Sequence, residues 1–247
     1  MGIGLGFDPL GIVAASASPA APLTLVTSVA PFVFFSADMG ITLDTGVSAW
    51  ADQSGNGFNA SQATAGSQPL LVTGDADFGG RNSVLADGTD DFLDSAWDPP
   101  APNAQPVWFF FVFKQVTWSA SRFLWGGSTG ASVLCLFQTG TEPSMKMGNT
   151  TLVNENAGAT VGSAVRGQVY FSGSTSDYIK LGSSLVTGAS AGVNNATLLR
   201  LFSRNGSTQS INAKLACFGA WAGEPTADER AALDAWVTSY YGPTVVV

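Results

Sequence analysis

The sequence predicts an all-β fold, an antiparallel β-sandwich closed by one C-terminal α-helix. Three observations predict it. Short apolar runs alternate with Gly, Asn, Asp, Ser and Pro at short intervals, as in a sandwich. The composition is 45% hydrophobic and only 11% charged, enough to fill a large core. A single segment near the C-terminus carries a helical stripe.

Residues 1–30 read as a separate, extended docking arm. Gly and Pro punctuate it, and Ile3, Leu5, Phe7, Leu10, Ile12 and Val13 need a surface to cover. A secretory signal fits badly, since no cation precedes the apolar run and Asp8-Pro9 interrupts it. The same interruption excludes a membrane-spanning helix there. The arm anchors the chain on its own domain or on a neighbouring subunit.

The domain, residues 31–247, opens with Pro31-Phe32-Val33-Phe34-Phe35, a first strand. Residues 50–60 form a loop in which Gly55 and Gly57 permit positive φ. Residues 84–93 read as a strand with a turn at Asp87-Gly88. Residues 107–113 are apolar on both alternating faces, so this strand is covered on both sides by a loop, arm or subunit. Further strands are expected at 122–125, 131–137, 168–172, 177–181, 197–202 and 211–221. Thr226 with Glu229 three residues later makes a capping box. Leu233, Trp236, Val237 and Tyr240 follow at helical spacing, and Gly242-Pro243 ends the helix.

Two motif groups carry a family resemblance. One is Trp50-Ala51-Asp52-Gln53-Ser54-Gly55-Asn56-Gly57-Phe58-Asn59-Ala60 with Asp87-Gly88-Thr89-Asp90-Asp91-Phe92-Leu93. The other is Phe218-Gly219-Ala220-Trp221, then Pro225 to Leu233 and Tyr240-Tyr241-Gly242. Together they resemble the concanavalin A-like, laminin-G-like jelly roll of bacterial surfaces and tailed-phage virion proteins. The resemblance covers residues 30–242 and implies the fold more than the function.

The formal charge is −8. Ten Asp between positions 38 and 98 face one cation, Arg81. No basic footprint exists for nucleic acid. The acidic region is either a solvated face or a cation site. Asp52, Asn56, Asp87, Asp90 and Asp91 offer the oxygen ligands that Ca²⁺ takes, or else they cap turns. No other cofactor is expected. Cys135 and Cys217 read as buried free thiols, although pairing across the sandwich stays open.

Histidine is absent, which removes His-based triads and His metal ligands. Only Glu142, Glu155, Glu224 and Glu229 are available, and none makes the Glu-x-Asp-x-x-Glu arrangement of the jelly-roll glucanases. Trp97, Trp118 and Trp125 lie in turn-rich surroundings and are candidate sugar platforms, or partly buried core. Trp50, Trp108, Trp221 and Trp236 are expected in the core.

The functional expectation is a non-enzymatic virion surface protein of a tailed phage. The arm docks on a capsid or tail protein, as a capsid decoration or head fibre, and the jelly roll projects outward. The alternative is a tail-fibre adhesin that recognises host surface glycan. A polysaccharide-degrading enzyme ranks behind both. A homo-oligomer is expected, with its interface at the arm and residues 107–113. The place is the virion surface after synthesis in the host cytoplasm, with no membrane partner.

Overall fold

In the computed structural model, which describes residues 18–97, 105–127, 134–148, 152–173, 176–189, 198–204 and 209–247, two antiparallel sheets pack face to face. In chain order the elements are α1 (Pro22–Leu25), β1 (Pro31–Ser36), β2 (Ile41–Leu43), β3 (Val47–Trp50), β4 (Ala60–Ser61), β5 (Leu70–Asp75), β6 (Arg81–Asp87) and β7 (Leu93–Ser95). There follow β8 (Val107–Gln115), β9 (Phe123–Gly127), β10 (Cys135–Gln138), β11 (Met145–Gly148), β12 (Leu152–Asn156) and β13 (Ala164–Phe171). The chain closes with β14 (Ser176–Leu181), β15 (Ser184–Ala189), β16 (Leu199–Leu201), β17 (Asn212–Trp221) and α2 (Ala227–Tyr241).

The first sheet runs β15-β14-β13-β8-β17-β6-β5, with β1 also on β17. The second runs β12-β11-β10-β9-β16-β7-β4-β3-β2. Residues 51–59 form the expected loop. The strand expected at 84–93 divides into the end of β6 and β7.

Strand alternation sorts β8 into two cores. Phe109, Phe111 and Phe113 join Val33, Phe35, Leu124, Trp125 and Phe218 between the sheets. Trp108, Phe110 and Val112 point outward with Phe34, Cys217 and Trp221, and meet Leu233, Trp236 and Val237 of α2. The second cover of β8 is thus the chain's own helix. Residues 107–113 offer no surface to a second copy, which corrects the expected interface there. Opposite Phe111, Gly167 leaves the ring its space, since a Cβ there would lie 2.1 Å from Phe111 Cε2.

Residues 18–30, placed in the arm by sequence, lie on their own domain. Ala21 and Val26 are buried in the α2 core. Trp236 Nε1 donates to the Ser18 carbonyl at 3.0 Å. Residues 1–17, with the apolar arm residues Ile3 to Val13, lie outside the described residues. Both cysteines are buried and free, one in each sheet. Burial pushes each thiol up to about 12.

The capping box is present at the start of α2. Glu229 does more than cap. Its Oε1 accepts from the backbone N–H groups of Thr27 at 2.7 Å and Ser28 at 2.8 Å, and Oε2 from Thr226 N–H at 2.9 Å. Ser28 Oγ also donates to it. Partial burial works against the charge, but these donors win and hold the carboxyl at about 2, against an ordinary 4.5. Because the folded value is depressed, the contribution is complete above pH 4.5 and is lost as pH falls towards 2. Acid unfolding of Glu229→Gln is expected to show a flatter stability profile across that window than the parent. Equal slopes in denaturant titrations at each pH would refute this.

Candidate functional site

Sequence reasoning proposed one cation site, and the structure divides its members. Asp87, Asp90 and Asp91, on the β6–β7 turn, bring carboxylate oxygens within 4.8 Å of one another. Each also serves its own turn: Asp91 Oδ2 accepts from Asp87 N–H, Asp87 Oδ1 from Thr89 N–H, and Asp90 Oδ2 from Ser67 Oγ. Burial, with Asp87 and Asp90 nearby, pushes the Asp91 carboxyl up. Asp52 stands outside this group. Its two oxygens accept from Phe34 N–H, Ser54 N–H, Ser54 Oγ and Phe58 N–H. Asn56 donates to the Pro31 and Phe32 carbonyls. These two residues fasten the 51–59 loop to β1.

The aromatic candidates also divide. Trp97 and Trp125 are each 1% exposed and belong to the inter-sheet core. They are no platform for a sugar, because Phe109 already stacks on Trp125 and meets Trp97 edge-on. Trp118 is half-buried in the β8–β9 connection. Trp50, Trp108, Trp221 and Trp236 are fully buried, as expected.

The structure reveals a groove that sequence reasoning missed. It measures about 300 Å³ and is lined by Gln168, Tyr178, Lys180, Leu185, Glu224 and Arg230. Its floor follows from strand alternation. Arg166, Gln168 and Tyr170 project outward from β13, and Tyr178 and Lys180 from β14, with Gln168 opposite Lys180 and Leu185 next in line. These strands lie beyond the apolar face that α2 covers. Its wall is the segment entering α2, where Glu224 and Arg230 pair at 2.7 Å.

The groove is chemically rich for its size. Trp108 Nε1 donates to the Tyr178 hydroxyl at 2.9 Å. Burial, then the Glu224 carboxylate, pushes Tyr178 well above the usual phenol range, so it stays a protonated hydrogen-bond donor. Burial and Glu224 act on Tyr170 in the same direction. Beneath the groove, Asp234 Oδ2 takes Arg166 Nη2 at 2.9 Å and Lys180 Nζ at 3.6 Å. Arg166 is completely buried, and Gln168 is 2% exposed. Gln168 Nε2, Arg166 Nε and Nη1, and Asp234 Oδ1 have no hydrogen-bond partner among the described residues. Buried N–H groups without acceptors are costly.

One signal of this site was legible: polar or aromatic hydroxyl residues at every second position, Arg166, Gln168 and Tyr170 in β13 and Tyr178 and Lys180 in β14. That pattern marks an outer face only partly covered. Glu224 and Arg230 carry no comparable sequence signal, because α2 brings them to the groove from the other end of the domain.

No protein-family model matches the chain, and no curated protein matches it. Solved structures do. Trypanosoma rangeli sialidase in complex with sialic acid aligns with a TM-score of 0.63 and 10% identity, over 95% of this chain and 37% of that one. A GH54 α-L-arabinofuranosidase mutant soaked with 4-nitrophenyl α-L-arabinofuranoside gives 0.57 and 14%, over 79% and 51%. The binding domain of Paraclostridial Mosquitocidal Protein 1 gives 0.59 and 6%, over 85% and 52%. The chain therefore spans between about a third and a half of these proteins, and the likeness at such identities is one of fold.

These neighbours correct two expectations. The non-enzymatic virion surface role finds no counterpart among them, neither as capsid decoration nor as tail fibre. Glycosidases stand there instead, so the expectation of a non-enzymatic chain loses its ground. That expectation rested on one strand motif and on the missing histidines. Among the described residues no helix is long and apolar enough to cross a membrane.

Proposed function

We propose that this chain is a saccharide-binding β-sandwich of concanavalin A-like jelly-roll form, and that the groove beside α2 holds the sugar. The observation that carries the reading is the set Gln168, Tyr178, Lys180, Glu224 and Arg230 converging on one cavity. Sugars present both donors and acceptors on every hydroxyl. Carboxylates, amides and guanidinium groups meet them in pairs, while an aliphatic or aromatic flank takes the C–H face. Leu185 and Tyr178 supply that flank. The sandwich shared with sugar-processing proteins supports the same assignment.

Glycoside hydrolysis in the same groove is a second reading. One carboxyl, Glu224, lines the groove and favours it as the acid for a leaving oxygen, whereas Asp234 lies beneath, paired with Arg166 and Lys180.

Screening the chain on a glycan array and titrating the best binder tests both readings. Glu224→Gln and Arg230→Ala are each expected to weaken binding about tenfold, as for loss of a charged hydrogen-bonding partner. Unchanged binding in both variants would remove the groove from consideration. Binding retained in Glu224→Gln with turnover abolished would favour hydrolysis over recognition alone.

A further inference from the structure

Resting on that reading of the groove, we propose that its ligand is an acidic saccharide, one whose carboxylate is received by Lys180 and the Gln168 amide. Charge distribution is the first ground. The chain carries −8 overall and only ten cations. Three of the ten, Arg166, Lys180 and Arg230, gather at this groove. Two carboxylates, Glu224 and Asp234, answer them there. Three of the few cations of an acidic protein thus stand around one groove, where an anionic ligand would meet them.

Unspent donors are the second ground. Gln168 is 2% exposed, lines the groove, and has Nε2 without an acceptor among the described residues. Arg166 is fully buried and leaves Nε and Nη1 unmatched beneath it. The surplus is of N–H groups, so the missing partner is rich in acceptors. Lys180 stands 3.6 Å from Asp234, longer than a good charge-assisted hydrogen bond, and its ammonium can turn to a ligand.

Electrostatics agree with this geometry. Burial and then the Arg166 guanidinium hold Lys180 below the ordinary lysine range, with Arg230 adding and Asp234 only partly opposing. A carboxylate beside Lys180 would relieve that crowding. A neutral sugar would leave it in place.

The test uses the full chain on an array of neutral, uronate-bearing and sialylated glycans, followed by titration of the best binder and of its carboxyl methyl ester. The expected result is preference for acidic glycans, about a tenfold loss on esterification, and weakening with added salt. Lys180→Gln is expected to erase the preference and Lys180→Arg to keep it, which separates loss of charge from loss of fold. Equal binding of acidic and neutral glycans, still weakened by Glu224→Gln, overturns the inference and leaves the groove as a sugar site. Acid-selective binding indifferent to Lys180→Gln overturns it as well. No binding to any glycan class overturns the sugar-site reading itself, and the inference with it.

Discussion

Asp234→Ala is expected to lower the unfolding free energy by about 3 kcal/mol, as for loss of the partly exposed counter-charge of a buried cation. Arg166 has no exposed surface, and Asp234 holds its Nη2 at 2.9 Å. Burial already pushes the guanidinium down from its usual range, with Asp234 as the main opposing influence. Without Asp234 that charge stays buried and uncompensated, with Lys180 close by on the same face. Arginine cannot escape by losing its proton at ordinary pH, so the cost falls on folding. Replacing both members by apolar residues, as in Arg166→Met with Asp234→Leu, is expected to restore most of the loss. Urea unfolding of the parent, single and double variants decides the matter. A single-variant loss below about 1 kcal/mol, the range of exposed pairs, would show that water reaches Arg166.

The same pair shows where sequence reading stops. Arg166 lies in β13 and Asp234 in α2, 68 positions apart. Nothing local in either segment names the other. By contrast, α2 itself was fully legible, because a capping box and an i, i+3, i+4, i+7 stripe are local signals. Leu233, Trp236, Val237 and Tyr240 are all buried as that stripe requires. The two-sided burial of residues 107–113 was legible too, but not what lay above them. Alternation reports that a face is covered and is silent on which element covers it. The tryptophans failed for a related reason. Trp97 and Trp125 sit beside turns in sequence, yet both pack between the sheets, Trp125 from β9 and Trp97 from just beyond β7. The acidic loops were half legible. Asp87, Asp90 and Asp91 converge within one turn, whereas Asp52 and Asn56 spend their polar atoms on the backbone of their own loop and β1. The groove escaped because its floor comes from β13 to β15 and its wall from residues 224–230.

Phe109→Ala is expected to cost about 3–5 kcal/mol, the range for truncating a buried aromatic in a well-packed core. Phe109 is the hub of the inter-sheet core. Its ring stacks on Trp125 with centroids 4.1 Å apart and meets Trp97, Phe171 and Phe218 at 6.1, 6.1 and 5.9 Å. Truncation deletes these contacts at once, and rigid neighbours from both sheets cannot collapse into the space. A small apolar pocket of about 10 Å³ already borders the ring, lined by Trp97, Trp125, Leu134 and Leu199, and truncation adds the volume of the ring to it. Such a cavity stays dry and accepts a small aromatic guest. Benzene is therefore expected to raise the thermal midpoint of Phe109→Ala and to leave the parent unmoved. Phe109→Leu, which keeps much of the volume, is expected to cost less than half as much. A loss below about 1 kcal/mol with no response to benzene would show that the core repacks. Residue 109 faces the inner core, while its neighbour Trp108 faces outward and donates to Tyr178 in the groove. If the backbone of β8 holds its register, glycan binding by the folded fraction of Phe109→Ala matches the parent. Stability and recognition then separate onto the two faces of a single strand.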